Sequence, residues 1–266
     1  SPSSAASDVY KRQVNMLHES FSLDEFIKWY YELGKLKIFW AKPLKSIEVL
    51  IQRDNYLILR VEWIIRGKVR KALMGIIWAK ISIYDVIGAL SNYPNYDRII
   101  MMPEDFSMNL QLVKARSILY FWNTDGKTLS PNEDVKFRVL NTWDKDETEM
   151  FAEIQKNSWG FFIPPRSGDH VVIVGFLDDN PVSLAYLNIN NYNIDYGVHV
   201  IKKYWRRRIG TSTLKFILEM AKNRGVSRVS VVRVFRSIKG TASDIRAVSF
   251  YKANNPAIRL SIYKLR

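Results

Sequence analysis

Lys202, Lys203, Arg206, Arg207 and Arg208 crowd five positive charges into seven residues, directly ahead of a helical pattern carried by Ile209, Leu214, Ile217, Leu218 and Ala221. Gly210 sits at the start of that helix. A helix start presents unpaired N–H groups and the positive end of the helix dipole, and glycine lets the backbone come close to a ligand. The chemistry this arrangement offers is capture of an anion: a nucleic-acid backbone, a membrane surface or the pyrophosphate of a cofactor. The competing reading is a solvated run of charge beside an ordinary turn glycine. No Walker-type Gly-Lys-Ser is present, and the helix follows the third of three strands that read as antiparallel. Both facts argue against a P-loop or a dinucleotide-binding fold.

The elements that must position this junction read clearly from Val135 onward. "VKFRVLN" predicts a strand, "DKDETEMFAEIQKNSW" an acid-capped helix, and "HVVIVGFLD", "VSLAYLNIN" and "NIDYGVHVI" three strands joined by Asp179-Asn180 and Asn190-Asn191 turns. The helix Ile209 to Arg224 ends at Gly225, then a strand "RVSVVRVF", a helix "SDIRAVSFYKAN" and a strand "IRLSIYKL" follow, giving the order β-α-β-β-β-α-β-α-β. Upstream, "SIEVLIQR", "YLILRVEWII" and "KVRKALMGIIWA" predict a β-meander with turns at Asp54-Asn55 and Gly67-Lys68. A helix at "SIYDVIGALS" and strands at "RIIMM" and "SILYFW" complete that first α+β part. Ser22 and Glu25 form a capping-box pattern for a helix ended by Gly34. The expected organisation is a polar tail or scar over 1–13, an α+β domain over 14–122, a turn-rich linker over 123–134 and a second domain over 135–266.

Composition bounds the function. The chain has 266 residues, 47% of them hydrophobic, enough to fold around one large core or two smaller ones. It has no cysteine and three histidines, which excludes thiol chemistry and thiolate metal sites and leaves little for zinc, so no metal is expected. No apolar run reaches the length of a membrane span and no secretory h-region opens the chain, so it reads as soluble and cytoplasmic, with no membrane partner. Of the formal charge of +14, residues 134–266 carry +10, and the stretch 202–239 holds 12 basic residues against the single acid Glu219.

The segment Val198 to Val226, "VHVIKKYWRRRIGTSTLKFILEMAKNRGV", resembles the acetyl-coenzyme A binding segment of the GCN5-related N-acetyltransferase (GNAT) superfamily. In that family a strand ending V-x-V runs into Q/R-x-x-G-x-G/A and a leucine-rich helix. "DIRAVSFYKANN", Asp244 to Asn255, resembles the family's N-x-x-A-x-x-F/L-Y-x-x-x-G-F, and "DDNPVSLAYLNI" fits its hairpin of second and third strands. Aligned on Gly210, Trp205 stands where the family has Gln or Arg and Arg208 where it has its first glycine. Asp244 stands for the usual Asn, and Asn255-Pro256 for Gly-Phe. An arginine at the glycine position either obstructs the pyrophosphate or supplies charge to it. The degenerate order of the first part leaves room for a diverged copy of the same fold over 14–122.

The resemblance implies an α+β fold with a GNAT-like mixed sheet flanked by helices, and acetyl transfer from acetyl-coenzyme A to an amine of a protein or small molecule. It places the cofactor on the backbone of Val198, His199 and Val200 and on Arg206, Arg207, Arg208, Gly210, Thr211 and Asp244. It makes Tyr251 the acid that protonates the leaving thiolate, because a phenol of ordinary pKa near 10 is still protonated at neutral pH. For the base that takes the amine's proton, Asp195 and His199 share strand parity and hence a face. The bland alternatives are a strand-edge carboxylate and a buried imidazole. Lys222, Arg224, Arg228, Arg233, Arg236 and Lys239 exceed what one pyrophosphate needs, and serve a 3′-phosphate, an acidic substrate, a nucleic acid or solvent. The loop "RSIKGTAS" is expected beside the acceptor. The rival reading is a catalytically inactive protein of this fold that binds nucleic acid through Trp205, Arg206, Arg207 and Arg208. The sequence is silent on oligomeric state.

Overall fold

The computed structural model describes residues 44–65 and 67–266. The expected tail and the Ser22/Glu25 helix lie outside the described residues. By backbone contacts the chain forms two compact units: one takes the residues through Leu119 with Arg233–Arg246 and Ile258–Arg266, the other Tyr120–Val232 with Ala247–Ala257.

The first unit is built on the meander β1 (Leu44–Gln52), β2 (Tyr56–Ile65) and β3 (Lys68–Ile77), antiparallel in sequence order. Gly67 turns β2 into β3 with φ of 73°, a conformation glycine takes without a Cβ clash. Helix α1 (Ile83–Ser91) then carries the chain across to β4 (Asp97–Pro103), which runs parallel to β3. Its Val86 packs where Gly75 of β3 leaves no Cβ in the way; a methyl there would sit 2.4 Å from Val86 Cγ1. Strand β5 (Val113–Asn123) begins in this unit, and the last strand, β11 (Ile258–Leu265), pairs antiparallel with β4. Ile99 to Met102 of β4 are buried, and so apolar a strand needs ladder partners on both edges, which β3 and β11 supply. The end of the chain therefore groups with the first unit and not with the residues immediately before it.

The second unit holds the four-stranded antiparallel sheet β6 (Lys136–Leu140), β7 (His170–Leu177), β8 (Asn180–Asn188) and β9 (Ile194–Val200). Helix α2 (Lys145–Trp159) starts in a full capping box: Asp144 Oδ1 accepts from Glu147 N at 2.8 Å and Glu147 Oε2 from Asp144 N at 2.9 Å. Gly160 ends it in the left-handed region. α2 buries Phe151 and Ile154 against Val172, Val174, Leu184 and Tyr186 of β7 and β8. Helix α3 (Ile209–Asn223) buries Ile209, Leu214, Ile217, Leu218 and Ala221, the stripe read from the sequence. Its Thr213 Oγ1 lies 2.9 Å from Ser183 Oγ of β8, and Phe216 stacks on Phe137 of β6 at 4.5 Å. Strand β10 (Arg228–Val234) begins beside β9, and helix α4 (Ala242–Ala253) follows it. The mixed α+β class and the order of elements from Val135 onward agree with the sequence reading.

Candidate active site

The site grows from an irregularity in β9. Along β8, Leu184 faces His199 and Tyr186 faces Asp195, so two steps on β8 are matched by four on β9. The surplus bulges outward at Tyr196–Val198, with Tyr196 at φ 67° and Gly197 at φ 83°. Asn193, just before β9, meets Ser230 of β10 in an isolated parallel bridge. The bulge follows that bridge along β9.

Tyr251 of α4 reaches this bulge. Its phenol oxygen accepts the Val198 N–H at 3.3 Å, so the phenol's own proton is not spent in that bond. The side chain is buried, and its ring is wedged by Tyr120 at 5.3 Å, Trp122 at 5.8 Å and Phe250 at 5.1 Å. Trp122 is fixed in turn by donating its indole N–H to Asn254 O at 2.9 Å. A Cβ on Gly197 would lie 2.6 Å from the phenol oxygen. Gly197 is thus needed twice, for its φ and for the space its missing side chain leaves. A lone glycine inside a strand pattern is a bulge signal, one the sequence carried at Gly197 but which the sequence reading did not single out.

Arg208 is the N-cap of α3 and adopts the left-handed conformation, φ 59° and ψ 15°, with no side-chain cap. The first intrahelical bond runs from Ser212 N to Arg208 O at 3.0 Å, and the amides of the turn before it lead the helix. Gly210 packs under Phe250, whose ring edge would lie 3.0 Å from a Cβ. An L-residue in the left-handed region costs about 1 kcal/mol relative to glycine. Arg208→Gly is therefore expected to raise unfolding free energy by about 0.5–1 kcal/mol, read from denaturant midpoints at constant m.

Arg206, Arg207 and Arg208 are exposed, and Lys203 and Arg207 lie over the Tyr204 ring at 5.0 and 5.6 Å. The Trp205 indole donates to Val200 O at 2.8 Å, which ties the loop back to the end of β9. Thr211 is buried in the first turn of α3. Asn132, inside the expected linker, clasps this loop: its N–H goes to Ser212 Oγ at 2.8 Å and its Nδ2 to Arg207 O at 3.0 Å. A cavity of about 400 Å³ between residues 124–131 and the Lys215 and Lys222 flank of α3 is lined by neither Tyr251 nor Gly210.

Asp195 and His199 flank the bulge on β9. They do share a face, since their β8 partners Tyr186 and Leu184 have equal parity. The Asp195 side chain is wholly buried and accepts from His170 Nε2 at 2.8 Å, Asn193 Nδ2 at 2.8 Å, and Arg166 Nη2 and Asn188 Nδ2 at 3.3 Å. His199 is buried with its ring edge-on to Trp159 at 4.6 Å.

Asp244, expected on the cofactor, has its carboxylate engaged by residues of the first unit. Its buried carboxylate accepts from Thr241 N at 2.7 Å, Thr241 Oγ1 at 2.9 Å, Arg233 Nη2 at 2.7 Å and Arg236 N at 3.2 Å. Thr241 and Asp244 form the two ends of a capping box for α4, a T-x-x-D signal present in the sequence. Burial acts to raise the Asp244 pKa, but the Thr241 and Arg233 hydrogen bonds outweigh it and hold the carboxyl below the usual value of 3.8. The unfolded chain therefore takes up this proton first. The stability Asp244 confers is present above about pH 4 and is lost as pH falls through its lower folded value. Asp244→Asn is expected to be destabilised at pH 7, with the gap from the native chain closing below about pH 4, followed by thermal melts at stepped pH.

The sequence pattern of the acetyltransferase (GNAT) family matches residues 134–255. The C-terminal half of the chain is a GNAT domain. No curated protein matches the chain. Among solved structures, a functionally unknown conserved protein from Staphylococcus epidermidis is similar at 12% identity and a TM-score of 0.45, covering 83% of this chain and 94% of its own. A GCN5-related N-acetyltransferase from Sphaerobacter thermophilus is similar at 13% identity and a TM-score of 0.42, covering 80% and 81%. An aminoglycoside acetyltransferase from an uncultured soil metagenomic sample is similar at 17% identity and a TM-score of 0.36, covering 47% of this chain and 90% of its own. Among the described residues, no helix of the GNAT domain or of the first unit is long and apolar enough to cross a membrane.

Proposed function

We propose that the GNAT domain transfers an acetyl group from acetyl-coenzyme A to an amine. The observation that carries this is the Tyr251 phenol seated on the Val198 amide at the β9 bulge. The fit to acetyl-coenzyme A rests on the backbone: the left-handed Arg208, the leading amides of α3 and Gly210 make an anion cradle without a glycine at position 208. Arg206, Arg207 and Arg208 add exposed charge around that cradle. When bound, acetyl-coenzyme A supplies an activated acyl group. The bulge at Tyr196–Val198 takes these residues out of the β8 ladder, and the backbone donors beside Val198 are available where negative charge develops on the acyl oxygen. Tyr251 holds a proton on Oη, and the Val198 N–H stabilises the phenolate oxygen as that proton leaves.

The buried Asp195 carboxylate already accepts from His170, Asn193, Asn188 and Arg166. His199, on the same face of β9, is an imidazole of the type that exchanges protons in general base catalysis. Arg233 pairs with the Asp244 carboxylate at 2.7 Å. The test is release of free thiol from acetyl-coenzyme A in the presence of a panel of primary amines, polyamines and lysine peptides. Amine-dependent release supports the reading. Release from no amine, with the cofactor bound and the protein folded, removes it.

A further inference from the structure

We infer that Asp195 is a positioning residue that fixes the fork between β9 and β10, and through it the Val198 amide, without itself exchanging a proton. The inference rests on the acetyl-transfer reading for its consequence in rate, but not for its structural content. Asp195 is the last regular residue of β9 before the two left-handed residues Tyr196 and Gly197. Its Oδ2 gathers His170 from β7, Arg166 from the preceding loop and Asn188 from β8. His170 Nδ1 accepts the Arg166 N–H at 2.9 Å, which leaves Nε2 to carry the proton given to Asp195.

The other oxygen looks across the fork. Oδ1 accepts from Asn193 Nδ2 at 2.8 Å, and Asn193 Oδ1 accepts from Ser230 Oγ of β10 at 2.9 Å. Ser230 N completes the joint by donating to Tyr192 O at 3.1 Å. One carboxylate thus ties together β7, β8, β9 and, through a single amide, β10. A bulge stores freedom as well as strain, because its unpaired residues lack ladder bonds to hold them. Pinning the strand on the residue before the bulge limits how far Val198 can swing away from Tyr251. A misplacement of about 1 Å at such a donor is enough to cost on the order of 100-fold in rate.

The test uses Asp195→Asn, close in shape, and Ser230→Ala, which cuts the far link and leaves the carboxylate in place. Amide hydrogen exchange at Val198 is expected to quicken about 10-fold in Asp195→Asn and less in Ser230→Ala, while β7 and β8 amides keep their protection. The kcat for acetyl transfer is expected to fall about 10-fold with KM for acetyl-coenzyme A within about 2-fold. Tyr251→Phe should then cost far less in the Asp195→Asn background than alone, and the acidic limb of the pH–rate profile should stay where it is. Disappearance of that limb would make Asp195 a proton acceptor and overturn the inference. Unchanged Val198 exchange, or full additivity with Tyr251→Phe, would overturn it equally. Should Asp195→Asn not fold, the Ser230→Ala exchange and coupling decide. If the native protein transfers acetyl to no amine, the activity reading fails alone, and Val198 exchange still judges the fork.

Discussion

Tyr251→Phe is expected to lower kcat by about 100-fold or more at neutral pH while leaving acetyl-coenzyme A affinity nearly unchanged. General acid catalysis contributes roughly 10²–10⁴ in rate, and the substitution deletes the oxygen on which that proton sits. The ring stays wedged among Tyr120, Trp122 and Phe250, so its packing survives. The bond from Val198 N at 3.3 Å is lost, and the loss of such a neutral hydrogen bond typically changes stability by about 1 kcal/mol. Steady-state thiol release, paired with a denaturant melt, separates the two quantities. A large loss of stability with a proportionate loss of rate would mean the phenol is a packing group.

Gly197→Ala is expected to damage both fold and rate from a single added methyl. At φ 83° an alanine is strained by about 1–2 kcal/mol, and its Cβ would stand 2.6 Å from the Tyr251 oxygen. The ring has little room to retreat, since aromatic neighbours flank it. The phenol must leave the Val198 amide, and the rate should fall nearly as far as in Tyr251→Phe. Combined with Tyr251→Phe, the same methyl should cost less stability than it does alone, because the atom it strikes is gone. Equal cost in both backgrounds would place the whole effect in the backbone strain.

The order of elements from Val135 onward was legible because each carries its own local signal: alternation in the strands, the stripe on α3, and the acid cap of α2. Tyr251 and Gly210 were legible because they sit in spaced motifs. For Asp244 the motif position named the residue, while the T-x-x-D cap and Arg233 that engage its carboxylate were not read from the sequence. The same holds for Asp195, where strand parity gave the right face but not the four donors waiting on it. Arg208 adopts the left-handed conformation that favours glycine, so the backbone turn is made without a glycine there, and nothing in the structure explains the arginine. What sequence could not show is which partner the final strand takes, because the pairing of β11 with β4 joins residues more than a hundred positions apart.

The most direct measurement is calorimetric titration of acetyl-coenzyme A into the protein at about 150 mM salt, where attraction to exposed arginines is substantially screened. Saturable one-to-one binding is expected, weakened at least about 10-fold in Gly210→Val, whose side chain would press into the Phe250 ring at the head of α3. Absence of binding to the folded protein, or binding indifferent to Gly210→Val, would contradict the account.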